Sequence, residues 1–195
     1  MRLDSSFYKR DGLTLAKDLL GKLLVREVAG ERIVTTIVET EAYLGPRDKA
    51  CHAYDNKRTK RTEVMFWEGG RAYVYLIYGM YNCFNVVASK EGIPEAVLIR
   101  AAEPLQGLET IKKNRSIKSK KIEDLTNGPG KLCQALQIDR ELNGYDMVSG
   151  DEIYILDSDE KVEVVADKRI NIDYAQEYKD KEWRFYIEGN SFVSR

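Results

Sequence analysis

Two apolar runs separated by a four-residue segment constrain the fold of this chain more than any other feature of its sequence. The runs at 72–78 (AYVYLIY) and 83–89 (CFNVVAS) consist mainly of β-branched and aromatic residues, which are typical of strands. The connecting segment GMYN is short enough to join antiparallel neighbours directly. We therefore predict a β-hairpin with Tyr78 and Tyr81 beside its turn. Large aromatic side chains at such a tip either pack on a neighbouring loop or fill the space that an extruded nucleotide leaves in a duplex.

Similar patterns predict the remaining elements. The segment VAGER at 28–32 is a turn signal, so the strands on either side of it form a second hairpin. Strands are predicted at 22–28, 33–40, 96–102, 153–156, 162–165 and 185–187. Helices are predicted at 14–20, with Thr14 as the cap, after Pro104, and after the NGPG motif. The predicted fold class is α+β: one domain over residues 1–195 with a curved, mostly antiparallel sheet and peripheral helices.

The cysteines and the apolar segments indicate where such a chain works. Cys51, Cys83 and Cys133 are widely spaced and form no CxxC or CxxH pair, so neither a disulfide framework nor a zinc site is expected. The N-terminal segment MRLDSSFYKRDG contains no apolar run, and no stretch approaches the ~20 apolar residues that cross a membrane. We expect reduced thiols, a cytoplasmic location (nucleoid-associated in a bacterium) and no membrane partner.

Charge is balanced over the chain but unevenly distributed along it. The net charge is −1, whereas two segments are strongly basic and the segment 151–163 is strongly acidic. Basic segments of this kind are either solvated surface or a face that contacts phosphates. The first basic run comprises Arg47, Lys49, Lys57, Arg58, Lys60 and Arg61. The second basic run, at 111–122, is expected to form a loop tip and comprises Lys112, Lys113, Arg115, Lys118, Lys120 and Lys121.

Two glutamates in the motif VETEAYLGP are candidates for a catalytic role. Glu39 and Glu41 alternate at strand spacing, so their side chains point to the same side of the predicted strand. Two carboxylates on one side of a mostly apolar strand cost free energy unless solvent or a function compensates for their burial. Spacing alone favours the simpler interpretation, in which the strand end reaches solvent.

Three further polar residues lie within or near the apolar strands. His52 is the single histidine of the chain, and a lone histidine is more often structural than catalytic. Asn85 and Arg100 interrupt apolar strands, so each needs a polar partner if it is buried. Arg100 can pair with Glu39 or Glu41, or it can hold a phosphate group with two hydrogen bonds.

The sequence lacks the motifs of several other functional classes. It contains neither a GxGxxG nor a GxxxxGK[ST] loop, which argues against a nucleotide cofactor. It also contains no GxSxG nucleophile motif and no HExxH metal motif. No helix-turn-helix or zinc-finger pattern supports a reader of DNA sequence. We therefore expect no metal and no organic cofactor.

Seven stretches of the sequence occur in an order that is highly specific as a combination. They are LAKDLLGKLL, VETEAYLGPRDKACHAY, EVMF, AYVYLIYGMYNCFNVV, VLIRAAEPLQGLE, NGPGKLCQAL and RFYIEGNSFVS. Through them the chain resembles the alkyladenine DNA glycosylase family, also called the 3-methyladenine or methylpurine DNA glycosylases, from Leu15 nearly to Arg195. The resemblance implies a curved antiparallel sheet with a protruding β-hairpin that inserts into DNA.

The resemblance also implies roles for residues that act on DNA. Glu41 matches the general base that deprotonates the attacking water, and Arg100 matches the arginine that positions this water and a nearby phosphate. Tyr78 matches the tyrosine that enters the minor groove and occupies the vacated stack. With DNA as the partner, contacts to its backbone are expected from members of the first basic run, namely Arg47, Lys57, Arg58, Lys60 and Arg61.

Four more residues match those that enclose the extruded base. Tyr43, His52 and Tyr75 correspond to residues that enclose it, with aromatic faces above and below. Asn85 corresponds to an asparagine that crowds the 2-amino group of guanine and so disfavours the normal base.

The activity that the resemblance implies is that of a monofunctional DNA glycosylase of base excision repair. Its partner would be double-stranded DNA containing damaged purines, and we expect the chain to act as a monomer. The expected substrates are 3-methyladenine and 7-methylguanine, with hypoxanthine and ethenoadenine as further candidates, and the product is an abasic site. Two alternatives stay open: a bifunctional glycosylase/lyase that uses a lysine from 112–121, and a non-catalytic module that binds damaged DNA or RNA.

Overall fold

Eight strands and four short α-helices form the described part of this chain. The structure is a computed structural model that describes residues 1–117 and 119–194, so Lys118 of the second basic run lies outside the described residues. The strands are β1 (Leu23–Val28), β2 (Glu31–Leu44), β3 (Ala72–Ile77), β4 (Tyr81–Ala88), β5 (Glu95–Gln106), β6 (Ile153–Leu156), β7 (Val164–Asp167) and β8 (Arg184–Ile187). The helices are α1 (Ser5–Tyr8), α2 (Gly12–Asp18), α3 (Leu108–Arg115) and α4 (Pro129–Ala135).

A single long strand organises the sheet. β2 pairs with β5 along one side, and along the other side it pairs first with β1 and then with β8. The main path through the sheet is β3-β4-β5-β2-β1-β6, and β7 joins through β8. Every named strand pair in the described residues is antiparallel. The predicted α+β fold with a mostly antiparallel sheet is therefore confirmed.

Left-handed backbone conformations close both predicted hairpins. Between β1 and β2, Ala29 and Gly30 have φ angles of 51° and 79°, the combination that a type I′ turn requires. Between β3 and β4, Tyr78 and Gly79 have φ angles of 53° and 70°. β3 consequently ends at Ile77, one residue earlier than predicted, and Tyr78 lies in the turn itself.

Two predicted elements are displaced by two residues along the chain. α2 begins at Gly12 because Asp11, rather than Thr14, caps it: the Asp11 carboxylate accepts hydrogen bonds of 3.0 Å from the N–H groups of Leu13 and Thr14. The predicted strand at 162–165 is observed as β7, which begins and ends two residues later. Local patterns thus located these elements but not their ends.

The region after β5 differs from the prediction more strongly. Pro104 does not begin a helix but lies within β5, opposite Thr35 and next to a register shift, where a residue without an N–H is tolerated. The helix α3 begins only after Gly107, which has a φ of 82°. α3 includes Lys112, Lys113 and Arg115, so the first part of the second basic run is helical and not a loop tip.

The main core lies between the sheet and the helices. α2 packs on β2 and β5, while α4 packs on β4 and β5. Leu15, Phe84, Ile99 and Leu132 are completely buried there. A second, smaller apolar cluster surrounds Tyr73 and supports the cleft described below.

Two observations bear on the expected environment. The three cysteines are free thiols, and all of them are buried. Among residues 1–117 and 119–194, no helix has both the length and the apolar composition that a membrane crossing requires.

Candidate active site

A cleft of about 550 Å³ opens beside the hairpin of β3 and β4. Its walls are contributed by the end of β2 and the turn after it, by β3, β4 and β5, by the end of α3, by α4, and by the segment 170–174. The predicted site residues that line it are Tyr43, His52, Tyr75, Tyr78, Asn85 and Arg100. A volume in this range is typical of sites for small molecules and is large enough for a purine ring.

Glu41 lies directly behind this cleft, and its side chain has no exposed surface. Its Oε2 accepts a hydrogen bond of 2.7 Å from the Tyr43 hydroxyl, and its Oε1 accepts one of 2.8 Å from the N–H of Ile170. Nη1 of Arg100 lies 3.3 Å from the same Oε1. These three partners line the cleft and compensate for the burial of the carboxylate. The simpler interpretation of the motif, a strand end in solvent, is wrong.

Glu39 is buried just as completely on the same strand. Its carboxylate accepts hydrogen bonds from Nε of Arg100 (3.1 Å), from Nε of Arg184 (2.6 Å), and from N and Oγ of Ser194 (2.7 and 2.8 Å). Arg100 therefore lies between two carboxylates, with Nε toward Glu39 and Nη1 toward Glu41. The sequence left the choice between these two partners open, and the structure contains both.

The rings of His52, Tyr73 and Tyr75 together form one wall of the cleft. The His52 ring stands edge-on to Tyr75 with 4.6 Å between the ring centroids, and its Nδ1 lies 2.9 Å from the hydroxyl of Tyr73. Burial and, to a smaller extent, the guanidinium of Arg61 lower the pKa of His52 to about 4. The imidazole is thus neutral near pH 7, so one of its nitrogens can accept a hydrogen bond.

Asn85 is the polar interruption of β4, and it has the buried partner that its position requires. Its Nδ2 donates a hydrogen bond of 3.0 Å to the carbonyl oxygen of Tyr73, the residue directly opposite in the hairpin. The bond fixes the direction of the amide within the cleft wall. The sequence predicted the need for a partner but not its identity.

The two tyrosines at the hairpin tip have different surroundings. Tyr78 is 75% exposed. Tyr81 is half-exposed, and its ring lies so close to Gly130 of α4 that a Cβ there would be 3.2 Å from it. Tyr81 therefore packs on a neighbouring element, whereas Tyr78 extends from the turn at the edge of the cleft.

The first basic run contains exposed cations and cations that are already engaged. Arg58 makes two hydrogen bonds with the Glu63 carboxylate, of 2.9 and 2.7 Å. The Arg61 guanidinium lies 5.0 Å from the centroid of the Tyr75 ring, and its Nη2 is 3.4 Å from Nε2 of His52. The remaining predicted backbone contacts are exposed, namely Arg47, Lys57 and Lys60.

The second basic run approaches the cleft at one point. Arg115 lines the cleft and donates hydrogen bonds to the side chain of Gln134 and to the carbonyl oxygen of Asp124. Lys112 points elsewhere and pairs with Glu109 at 2.8 Å. None of the described lysines of this run lines the cleft.

Sequence reasoning missed the ion pair that holds two walls of the cleft together. Arg169 and Asp48 are joined by two hydrogen bonds of 2.5 and 2.8 Å, and neither side chain has exposed surface. The guanidinium also lies 4.8 Å from the centroid of the Tyr43 ring, and the next residue, Ile170, supplies the N–H that Glu41 accepts. No periodic pattern marks Arg169, and the one available signal was an isolated acid at position 48 inside a basic run.

The arrangement is suited to chemistry on a planar ring. Aromatic walls and a neutral imidazole can enclose such a ring, and a buried carboxylate beside a guanidinium can orient and deprotonate a water molecule. In the part of the chain that the structure describes, no group of three histidine, cysteine or acidic side chains is placed to hold a metal ion.

A family model and several known proteins are similar to this chain over nearly its whole length. A family model described as methylpurine-DNA glycosylase matches residues 6–191. A protein of Natranaerobius thermophilus named "Putative 3-methyladenine DNA glycosylase" is 59% identical over 100% of this chain and 99% of its own length. Proteins with the same name from Desulfitobacterium hafniense and Clostridium novyi are 52% and 50% identical, over 99% and 100% of this chain and 98% of their own lengths.

Proposed function

The chain belongs to the methylpurine-DNA glycosylase family, and we propose that it extrudes alkylated purines from duplex DNA and cleaves their N-glycosidic bond with a water activated by Glu41. The observation that carries this proposal is the fully buried carboxylate of Glu41, which is held by Tyr43, Arg100 and Ile170 at the back of an aromatic cleft. A carboxylate without solvent is costly, so its position calls for a function.

Extrusion of the purine is the first step of the proposed mechanism. Taking a base out of the stack costs a few kcal/mol, and less when the base is damaged or badly paired. Tyr78, exposed at the tip of a tight hairpin, can enter the duplex and stack in the vacated space. Phosphate contacts from the exposed residues Arg47, Lys57 and Lys60 would offset part of the cost. Arg58 and Arg61 would have to exchange Glu63 and Tyr75 for phosphates to contribute.

Recognition of the extruded base follows from the cleft walls. Tyr43 and Tyr75 offer π-faces, and such faces attract electron-poor or cationic rings such as purines alkylated at N3 or N7. His52, fixed by the Tyr73 hydroxyl, contributes a neutral edge that can hydrogen-bond the base. Asn85, which lines the cleft and is held by the Tyr73 carbonyl oxygen, would crowd the 2-amino group of guanine and so disfavour the normal base.

Cleavage is the step that uses Glu41. Alkylation makes the purine a good leaving group, so the bond to C1′ breaks with oxocarbenium character and the sugar becomes positively charged. Glu41 faces this charge and takes the proton of a water that attacks C1′, as the base of an inverting glycosidase does. Arg100 fixes the carboxylate and can hold the same water through Nη1. The products are the free purine and an abasic site.

The proposal is for a monofunctional enzyme. A lyase activity would need an amine that reaches C1′. No described lysine of the second basic run lines the cleft, and the described lysine that does, Lys131, directs its Nζ to Oδ1 of Asn127 at 2.7 Å and lies 3.7 Å from the Asp124 carboxylate. A sodium borohydride trapping assay on lesion-containing duplex tests this point. A covalent enzyme–DNA adduct at stoichiometric yield would contradict it.

Single-turnover release of base tests the main proposal. Base release is measured from duplexes that carry one 3-methyladenine, 7-methylguanine, hypoxanthine or ethenoadenine. The enzymes are wild type, Glu41→Gln and, as a control at the exposed start of the same strand, Glu31→Gln. We expect wild type and Glu31→Gln to release base, and Glu41→Gln to lose release by about 100-fold or more while still binding the duplex. Binding without release by the wild type would instead indicate a non-catalytic module.

A further inference from the structure

Glu39 has no part in the chemistry proposed above, although it is as deeply buried as Glu41. Its two oxygens accept four hydrogen bonds, from the Nε atoms of Arg100 and Arg184 and from N and Oγ of Ser194. These donors belong to β5, to β8 and to the segment after β8, so one carboxylate connects three separate parts of the chain. Such a saturated carboxylate is well suited to hold its neighbours in a fixed geometry.

Among the groups that Glu39 holds, the guanidinium of Arg100 is the one that reaches Glu41. Its Nε donates to Glu39 at 3.1 Å, and its Nη2 donates to Oγ of Ser194 at 3.2 Å. Both contacts lie along one edge of the planar guanidinium, so the plane cannot rotate without breaking them. The remaining nitrogen, Nη1, is directed at Glu41, 3.3 Å from Oε1.

Without its contacts to Glu39 and Ser194, Arg100 would be free to pair with both oxygens of Glu41. An arginine beside an unshared carboxylate tends to form a bidentate pair that occupies both carboxylate oxygens. If Arg100 paired with Glu41 in this way, its two hydrogen bonds and those from Tyr43 and Ile170 would occupy all four lone pairs of the carboxylate, and none would remain for a water. Glu39 competes for the guanidinium, because its Oε1 lies 3.1 Å from Nε of Arg100 while Oε1 of Glu41 lies 3.3 Å from Nη1. Ser194 adds a hydroxyl on the guanidinium edge that faces Glu39.

We propose that Glu39 and Ser194 are positioning residues, which hold Arg100 so that its Nη1 supports Glu41 and the attacking water without closing a bidentate pair on the base. The inference rests on the proposed function of Glu41. It gives the segment after β8 a part in the reaction, since Ser194 contacts both Glu39 and Arg100.

Two substitutions of different severity test this role. Glu39→Gln removes the charge that competes for Arg100. Ser194→Ala removes a hydroxyl that bonds Glu39 and Arg100 but keeps the backbone N–H that bonds Glu39, so it disturbs the fold less. Ser191→Ala, at an exposed position of the same segment, is the matched control. The measurements are single-turnover base release and the dissociation constant for lesion duplex.

Misplacement of a reacting group by about 1 Å costs about 100-fold in rate, so Glu39→Gln is expected to lose about this factor and Ser194→Ala about 10-fold, with the dissociation constant within about 3-fold of wild type. Ser191→Ala should release base at the wild-type rate. Equal losses in rate and binding, or wild-type rates in both test variants, would overturn the proposal. If Glu39→Gln does not fold, the outcome for Ser194→Ala decides.

A second measurement separates positioning from stability. With methanol as co-solvent, methanol and water compete for C1′, so the products are the methyl glycoside and the abasic site. A variant that merely contains less folded enzyme forms less product but keeps the ratio of the two. Loss of water positioning moves this ratio toward that of uncatalysed solvolysis, which is the result we expect for both test variants. An unchanged ratio contradicts the inference.

The same experiments distinguish failure of this inference from failure of the proposed function. If wild type releases base, Glu41→Gln does not, and both test variants behave like wild type, the positioning role alone is refuted. If Glu41→Gln releases base as fast as wild type, the role of Glu41 fails and the positioning role fails with it.

Discussion

The hydroxyl of Tyr43 donates a hydrogen bond of 2.7 Å to Oε2 of Glu41, two residues earlier on the same strand. Burial and the nearby carboxylate raise the pKa of Tyr43 well above its ordinary value, so the phenol keeps its proton and remains a donor. One residue thus provides a wall of the cleft with its ring and a restraint on the candidate base with its hydroxyl.

Tyr43→Phe should separate these two contributions. The ring is retained, but Oε2 of Glu41 loses a donor that a buried carboxylate needs. We expect base release to fall by roughly 10-fold and the free energy of unfolding to fall by about 1–3 kcal/mol, the cost of leaving a buried acceptor unsatisfied. Single-turnover release and urea unfolding measure the two effects. Tyr54→Phe, an exposed tyrosine that does not line the cleft, is the control and should change neither quantity.

His52 should make the stability of the protein depend on pH. Its pKa is about 4 in the folded state and near the ordinary histidine value of 6.5 when unfolded, so between these values the unfolded chain binds a proton that the folded chain does not. The free energy of unfolding should therefore fall as the pH decreases from about 6.5 to about 4, by roughly 2–3 kcal/mol from this residue. Unfolding curves of wild type and His52→Gln over this range test the prediction. Parallel pH dependences for the two proteins would contradict it.

Arg61 is expected to influence the same histidine. Its guanidinium is the second cause of the lowered pKa, after burial, and it lies 3.4 Å from Nε2. Removing this positive charge in Arg61→Gln should therefore raise the pKa of His52 from about 4 toward 6.5. A titration followed by NMR is unambiguous because the chain has a single histidine. Arg58→Gln, whose guanidinium is occupied by Glu63, is the control and should leave the pKa of His52 unchanged.

Much of the site could be predicted because its residues lie in strands with strong local patterns. Tyr75, Asn85 and Arg100 each belong to an apolar run that predicts a strand, whereas Glu41 lies one residue beyond the predicted strand 33–40, in the part of β2 that the sequence did not predict. Four neighbouring strands of the sheet carry these residues into the cleft or directly behind it. The order of those strands could not be predicted. β5 lies between β4, which precedes it directly in the chain, and β2, from which β3 and β4 separate it. No local pattern encodes the pairing of β5 with β2.

Other features depend on contacts that leave no local signal. Asp48 and Arg169 are separated by 121 residues and lie in irregular segments, so neither periodicity nor spacing connects them. Pro104 was a helix-start signal in the sequence, but pairing of β5 with β2 outweighed that preference. In both cases the structure depends on contacts between parts of the chain that are distant in sequence.

Tyr78 should contribute to the reaction without contributing to stability. It is 75% exposed, so its removal leaves no cavity. Stacking of an aromatic side chain with bases contributes about 1–3 kcal/mol per base, so Tyr78→Ala should lower base release by at least 5-fold while the free energy of unfolding stays within about 0.5 kcal/mol. Tyr78→Phe keeps the ring and should behave as wild type. Undiminished release by Tyr78→Ala would remove the hairpin tip from the mechanism.

The Asp48–Arg169 ion pair should be the most sensitive structural element near the cleft. Both oxygens of Asp48 accept from Arg169 and from the backbone, with the N–H groups of Leu44 and Ala50 at 3.1 and 3.0 Å. In Asp48→Asn the amide offers one acceptor in place of two, its NH₂ group faces existing donors, and the guanidinium is left buried without a counter-charge. Breaking a buried pair in this way costs about 3–5 kcal/mol.

We therefore expect Asp48→Asn to lower the free energy of unfolding by about that amount. Base release should fall as well, because Ile170 follows Arg169 and supplies a hydrogen bond to Glu41. Urea unfolding provides the measurement, and Glu177→Gln is the control because it breaks the more exposed pair with Lys49, which solvent screens, and should leave the free energy of unfolding nearly unchanged. If the two variants lost similar stability, the cleft walls would be held together by other contacts.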